Sequence, residues 1–261
     1  MSVRSWPSCH GNTTIRRIFG PSSQAAQELQ CRKTRATDRR SVVRVGTSNL
    51  KSPVSKPPYP YPTALVFGVP GAGKGTQGEI LTKIPGFFHL STGVIFRKLD
   101  PKSNEGKIVR EYSARGELAP NDVTLNIFLN WLESQRAADR FRPREHLLLL
   151  DGLPRNVNQC QMLEKYIDVK LILHLVCHDE EAMIERIRRR AVLENRLDDA
   201  SESVTRRRFE IYRQETEPVL SYYPKTIIKE IESTGIHAAV LLECLNYLVP
   251  VLGNNFPRSI P

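Results

Sequence analysis

The sequence predicts an α/β protein in which a five-stranded parallel sheet lies between two layers of helices. Two observations carry this prediction. From Thr63 onward, short apolar runs alternate with longer segments of helical periodicity. A parallel strand pair needs a crossover connection between its members, and the helical segments are long enough to supply one after each run. The region after Thr63 spans about 200 residues, which is enough chain for one domain with a proper core.

Each predicted strand is a short, largely apolar run of about four to seven residues, and most predicted helices are longer segments with helical periodicity. In chain order, the predicted strands are Ala64–Phe67, Phe87–Leu90, His146–Leu150, Leu171–Cys177 and Thr226–Ile231. The predicted helices are Lys74–Lys83, Val94–Leu99, Asn104–Ser113, Val123–Ser134, Asn158–Tyr166, Glu180–Ala191, Ser201–Leu220 and Ile236–Leu248.

The net charge of +10 belongs almost entirely to the N-terminal segment. Residues 1–58 carry eleven basic and two acidic side chains, whereas residues 59–261 carry 27 basic and 26 acidic ones. Because residues 59–261 are nearly neutral, a nucleic-acid polymer is not the expected partner. No apolar run approaches the about 20 residues that a membrane helix needs. We expect residues 1–62 to form a disordered basic leader that ends in a Pro-rich linker, and residues 63–261 to form the folded domain.

The five cysteines lie far apart and include no C-x-x-C pair. Their spacing argues against a zinc site or a disulfide scaffold and favours a reducing compartment.

A glycine-rich segment, Gly68-Val69-Pro70-Gly71-Ala72-Gly73-Lys74-Gly75-Thr76-Gln77, follows the first predicted strand and opens a helix. Glycines let the backbone wrap closely around an anion, the N–H groups and the helix N-terminus point at it, and Lys74 adds a full charge. With a strand before and a helix after, this pattern predicts a phosphate-binding loop. The candidate donor-phosphate residues are Gly71, Ala72, Gly73, Lys74, Gly75 and Thr76.

This form of the loop, with Gly75 where a general P-loop has a magnesium-binding hydroxyl, resembles that of the adenylate kinase family of nucleoside monophosphate kinases. The resemblance implies a P-loop kinase fold with a helical monophosphate-binding insert near residues 91–120 and a short lid near 190–200. It also implies that Mg²⁺ is held mostly by nucleotide phosphates and water.

Other motifs of that family follow in order. Asp151 ends a run of four leucines at the carboxyl end of a strand, where it is placed to meet Mg²⁺ through water. Ser91-Thr92-Gly93 is itself a good helix cap, and the two roles are compatible. By resemblance, the AMP-binding residues are Thr92, Arg97, Leu118, Gly152, Arg155 and Gln159.

Basic residues also cluster on two predicted helices that flank the lid. Such a cluster alone is typical of a solvated helix surface. By resemblance, Arg190, Arg196 and Arg208 stabilise the phosphoryl group in transit, Arg186 packs on the donor base, and Asp198 and Asp199 tie the lid together. Positioned cations are what phosphoryl transfer requires.

We therefore expect reversible phosphoryl transfer from MgATP to AMP, giving two ADP. Two alternatives stay open: a CMP or UMP kinase of the same family, and a nucleotide-binding regulator with little turnover, which Val94 in place of the family's usual acid would favour. The resemblance also implies a monomer, and the lack of a long apolar run argues against a membrane partner. The protein is expected in the cytoplasm, or in a mitochondrial or plastid matrix if residues 1–60 are an Arg-rich transit peptide. His89, His174, Trp131 and Tyr212 are interpreted as packing residues rather than ligands.

Overall fold

A computed structural model describes residues 57–194 and 201–256 of the chain. The predicted lid residues Arg196, Asp198 and Asp199, and most of the predicted leader, lie outside the described residues.

The described residues form one parallel sheet with the strand order β2-β3-β1-β4-β5, which confirms the predicted fold class. The strands are β1 (Tyr61–Phe67), β2 (Phe87–Ser91), β3 (Leu147–Asp151), β4 (Ile167–Val176) and β5 (Ile228–Glu232). The helices are α1 (Lys74–Leu81), α2 (Thr92–Arg97), α3 (Asn104–Ala114), α4 (Asn121–Ala137), α5 (Val157–Leu163), α6 (Glu180–Leu193), α7 (Glu202–Ile211) and α8 (His237–Asn255).

The four leucines of β3 show why the sheet is buried on both faces. Leu148 and Leu150 belong to the core that also contains residues of α4 and α5, whereas Leu147 and Leu149 belong to the core on the α1 and α8 side. Successive side chains of a strand point to opposite faces, so a central strand covered by helices on both sides is apolar throughout.

The first strand begins earlier than predicted. Tyr61 and Pro62, assigned from sequence to the linker, pair with Ile167 and Asp168 of β4. A proline-rich stretch favours an extended backbone, which is compatible with a strand, and a proline near a strand's start removes little from its pairing. The folded region therefore includes at least these two additional residues.

The helix predicted over Ser201–Leu220 is interrupted. It consists of α7, a π turn at Tyr212–Thr216 and a 3₁₀ turn at Glu217–Tyr222. Pro218 has no N–H group to donate to the preceding turn, so a regular α-helix cannot continue through it. Helical periodicity alone does not reveal such a change of pitch.

The helices that follow β1 and β3 lie on opposite faces of the sheet. Leu81 of α1 packs in one core, and Leu163 of α5 packs in the other. The two strands are neighbours, with Val66 opposite Asp151. Ligands of parallel α/β sheets bind at such a reversal, outside the carboxyl ends of the strands. None of the helices within 57–194 and 201–256 is long and apolar enough to cross a membrane.

We predict that Leu149→Ala lowers the free energy of unfolding by about 2–5 kcal/mol, because Leu149 is fully buried in a central strand and its loss leaves a cavity. Urea denaturation followed by circular dichroism measures the change. Leu242→Ala on α8 is the matched control, since Leu242 is 62% exposed and its truncation should cost little. Equal midpoints for the two variants would contradict the assignment of β3 to the core.

Candidate active site

A cleft of about 810 Å³ opens at the carboxyl ends of β1 and β3. Its volume is near the upper end of the about 300–1,000 Å³ typical of ligand sites. The residues that line the cleft come from several parts of the chain: Arg97 and Leu118, the glycine-rich loop, and Arg186 and Ile236.

The glycine-rich loop has the conformation that its glycines permit. Gly68 has a φ of 144°, and a Cβ there would lie 2.5 Å from the carbonyl oxygen of Leu175. Gly73, in the left-handed region at φ 88°, immediately precedes α1. A side chain at position 68 would clash with the backbone of Leu175, and one at position 73 would strain the backbone because of its positive φ.

Lys74, the first residue of α1, reaches back across the loop. Its Nζ donates hydrogen bonds to the carbonyl oxygens of Gly68 (2.6 Å) and Val69 (2.9 Å). Burial lowers the pKa of Lys74 to about 8; Asp151 opposes this shift, and Arg155, Arg190 and Arg208 reinforce it. The amine is thus held in the loop among other cations.

The same cleft brings together four of the predicted catalytic residues: Lys74, Arg190, Arg208 and Asp151. Burial, followed by the charge of Arg208, lowers the pKa of Arg155 to about 10. Like charges that border one cleft destabilise one another in the protein alone. A bound polyanion would relieve the repulsion, so the arrangement favours a phosphate-rich ligand.

Asp151 lies at the end of β3 with its side chain 9% exposed and borders the cleft. Among residues 57–194 and 201–256, no group of three or more His, Cys, Asp or Glu side chains could form a metal cage. A single carboxylate fits a hydrated Mg²⁺ that takes its other ligands from phosphates and water. It does not fit a metal held by protein ligands alone.

Arg155 is positioned by the loop that follows β3. Its Nε donates to the carbonyl oxygen of Gly152 at 2.9 Å, and its backbone N–H donates to Oε1 of Gln159 at 2.6 Å. Gly152 has a φ of 81° and lies against Thr92, whose Oγ1 would be 2.5 Å from a Cβ at that position. The loop geometry therefore depends on a glycine next to the arginine.

Two of the predicted AMP-binding residues face the protein instead of the cleft. Thr92 is 2% exposed, and its hydroxyl donates to the carbonyl oxygen of Gly152 at 3.0 Å. Gln159 is also 2% exposed, and its Nε2 donates to Oδ1 of Asn121 at 2.8 Å. In this conformation both side chains support the wall of the site. Arg97, Leu118, Gly152 and Arg155 do line the cleft.

The predicted donor-phosphate residues all border the cleft: Gly71, Ala72, Gly73, Gly75 and Thr76 line it together with Lys74. Arg186 lines it too, and its Nη1 lies 3.4 Å from the carbonyl oxygen of Ser233, the residue after β5.

Sequence reasoning missed His89 as a cleft residue. Its Nε2 lies 4.0 Å from Oδ2 of Asp151 and has no hydrogen-bond partner, so the expected satisfied packing histidine is not what the structure shows. Burial lowers the pKa of His89 despite the opposing charge of Asp151. A usable signal existed: residues 89 and 91 share one face of β2, and Ser91 opens a recognised motif.

Trp131 and Tyr212 were predicted to pack in the core. Both are largely enclosed, but both also border the cleft. Tyr212 and Thr216 continue the face of Arg208 at intervals of four residues, a helical spacing that could have revealed them.

The arrangement of a phosphate loop, a carboxylate at a neighbouring strand end and surrounding arginines defines the class of P-loop phosphotransferases. A family model described as "Adenylate kinase" matches residues 66–228. The chain belongs to the adenylate kinase family.

Curated relatives agree with this membership. The chain is similar to the adenylate kinase of Thermobifida fusca (38% identity, covering 66% of this chain and 89% of the relative). It is also similar to that of Thermus thermophilus (37% identity, 66% and 89%). A third relative is adenylate kinase isoenzyme 1 of Gallus gallus (33% identity, 70% and 92%).

We predict that Gly78→Ala lowers the free energy of unfolding by about 1–3 kcal/mol, although Gly→Ala within a helix is normally stabilising. The reason is that a Cβ at Gly78 would overlap the ring of His89. Gly75→Ala in the same helix is the control: its Cβ would meet nothing within 4 Å, so it should stabilise by up to about 1 kcal/mol. Adding His89→Ala to Gly78→Ala should recover part of the loss; a loss unchanged by that second substitution would argue against the contact.

Proposed function

We propose that this protein catalyses reversible transfer of the terminal phosphoryl group of MgATP to AMP, giving two molecules of ADP. The observation that carries the proposal is the cleft that the glycine-rich loop, Asp151 and several arginines line together. The names of the relatives support adenylate as the acceptor and do not favour CMP or UMP.

On the donor side, we assign the loop N–H groups and Lys74 to the β- and γ-phosphates of ATP, and Arg186 to the donor base. The hydrogen bonds from Lys74 to the loop carbonyls support its role, because they keep the ammonium group beside the anion-binding backbone.

On the acceptor side, we assign Arg97 and Arg155 to the phosphate of AMP, and Leu118 and Gly152 to its base. A planar guanidinium pairs with two phosphate oxygens at once, which orients the acceptor as well as binding it. For Thr92 and Gln159, we propose contacts with the base that require their present hydrogen bonds to rearrange.

Arg190 and Arg208 are proposed to stabilise the charge on the phosphoryl group in transit, together with Arg196 in the lid. No covalent intermediate is needed, because in-line transfer between two bound nucleotides depends on position and charge. Asp151 would hold Mg²⁺ through water. The metal, when bound, neutralises charge on the phosphate oxygens.

We further propose a monophosphate-binding insert at about 91–120 and a lid at about 190–200 with Asp198 and Asp199. A basic leader would end before β1, which begins at Tyr61, and the kinase domain would follow it. A monomer that acts in the cytoplasm, or in an organelle matrix if residues 1–60 are a transit peptide, completes the proposal.

The direct test is ADP formation by the purified full-length chain with MgATP and, separately, AMP, CMP, UMP or GMP, measured by chromatography. We predict ADP formation with AMP, and a loss of at least about 10²-fold in kcat for Lys74→Met, because a positioned cation is removed. ADP formation only with CMP or UMP would overturn the acceptor assignment, and no turnover with any acceptor would overturn the enzymatic proposal.

We also predict that affinity for ATP falls as pH rises from 7 to 9.5. The pKa of Lys74 in the protein alone is about 8, below its ordinary value of 10.5, so the amine loses its charge within this interval. A neutral amine attracts the triphosphate less, and binding above pH 8 must be accompanied by proton uptake.

Calorimetric titration with a non-hydrolysable ATP analogue at both pH values measures this effect. In Lys74→Met the affinity should be weaker at pH 7 and nearly independent of pH. An equal pH dependence in the wild type and in this variant would assign the effect to another group.

A further inference from the structure

We propose that Thr216 is a positioning residue that holds Arg155 in the phosphate cleft. This inference rests on the proposed function, since it concerns the arginine assigned to the acceptor phosphate. The hydroxyl of Thr216 donates a hydrogen bond to the carbonyl oxygen of Arg155 at 3.0 Å. Thr216 itself is 7% exposed, so water does not readily replace this bond.

Three hydrogen bonds hold Arg155, and they differ in how far apart the bonded residues lie in the sequence. Those to Gly152 and Gln159 join residues three and four apart, so they shape the loop internally. The bond from Thr216 spans 61 residues and ties the loop to the segment that follows α7. Of these three bonds, it alone fixes the arginine relative to another part of the fold.

The π turn presents Thr216 for this purpose. The N–H of Glu217 donates to the carbonyl oxygen of Tyr212, five residues earlier, where an α-helix would use a spacing of four. The hydroxyl of Tyr212 lies 3.3 Å from Nε2 of His174 in β4, in a buried contact. The turn is therefore attached to the central sheet at one end and to the Arg155 loop at the other.

The hydrogen bond from Thr216 opposes an electrostatic repulsion between two arginines. Arg208, on α7 just before the turn, has a charge that lowers the pKa of Arg155. The two guanidinium groups repel each other in the protein alone, and both border the cleft. A hydrogen bond between the segment that carries Arg208 and the backbone of Arg155 keeps them together before an anion arrives. Arg155 is then pre-organised for the acceptor phosphate.

The test is steady-state kinetics of the full-length chain with Thr216→Val, which removes the hydroxyl and keeps the shape. We expect KM for AMP to rise about 3–10-fold, the effect of losing one hydrogen bond, and KM for ATP to stay within about twofold. Thr216→Ser, which restores the hydroxyl, should return KM for AMP to within about twofold of the wild type. If circular dichroism shows that the Val variant does not fold, Thr216→Ala takes its place.

Thr63→Val is the matched control. Thr63 is also a buried threonine whose hydroxyl donates to a carbonyl oxygen, that of Tyr61, but it lies in β1 away from the cleft. Its variant should lose stability without a change in either KM. A merely structural role for Thr216 would produce the same result as this control, or raise both KM values equally, and either result would overturn the proposal.

A double-mutant cycle separates positioning from direct contact with AMP. If Thr216 acts through Arg155, Thr216→Val should add almost nothing to KM for AMP in an Arg155→Lys background. Additive effects would overturn the positioning role. An active wild type with an unaffected Thr216→Val variant would overturn this inference alone, whereas a wild type without ADP formation would overturn the proposed function and this inference with it.

Discussion

The repulsion among partly buried cations in the cleft is the constraint on which the rest of the structure depends. Lys74, Arg155, Arg190 and Arg208 border the same cleft as Asp151. Burial lowers the pKa of Lys74 and of Arg155, and the charges of neighbouring arginines lower both further. Hydrogen bonds with the backbone hold two of these groups in place: the loop carbonyls accept from Lys74, and Gly152, Gln159 and Thr216 hold Arg155. These two cations are therefore positioned before any ligand enters.

The stability of the sheet offsets the free-energy cost of placing these charges together. Five parallel strands end at one edge, and two apolar cores on opposite faces anchor the strands behind it. Stability therefore comes from residues such as the leucines of β3 that never approach the cleft. Polar and charged groups can then occupy the strand ends, where regular secondary structure stops and the backbone is free to bind.

The sheet, the phosphate loop and the placement of Asp151 could all be predicted because each depends on a local pattern. The inward orientation of Gln159 could not, since its partner Asn121 lies 38 residues away. The π turn was missed because residues 201–220 keep helical periodicity on both sides of it. The start of β1 at Tyr61 was missed because a proline-rich stretch is extended whether or not it pairs.

A small apolar cluster between α6 and α7 connects these two helices to the glycine-rich loop. Met183, Ile184, Ile187 and Phe209 pack on one another apart from the two cores of the sheet, and Val69 of the phosphate loop touches the cluster. Val69 also packs on the core that contains residues of α1 and α8, so this residue of the glycine-rich loop contacts both apolar clusters. A shift of α6 and α7 relative to the sheet would therefore alter the packing of the loop that forms the phosphate cradle.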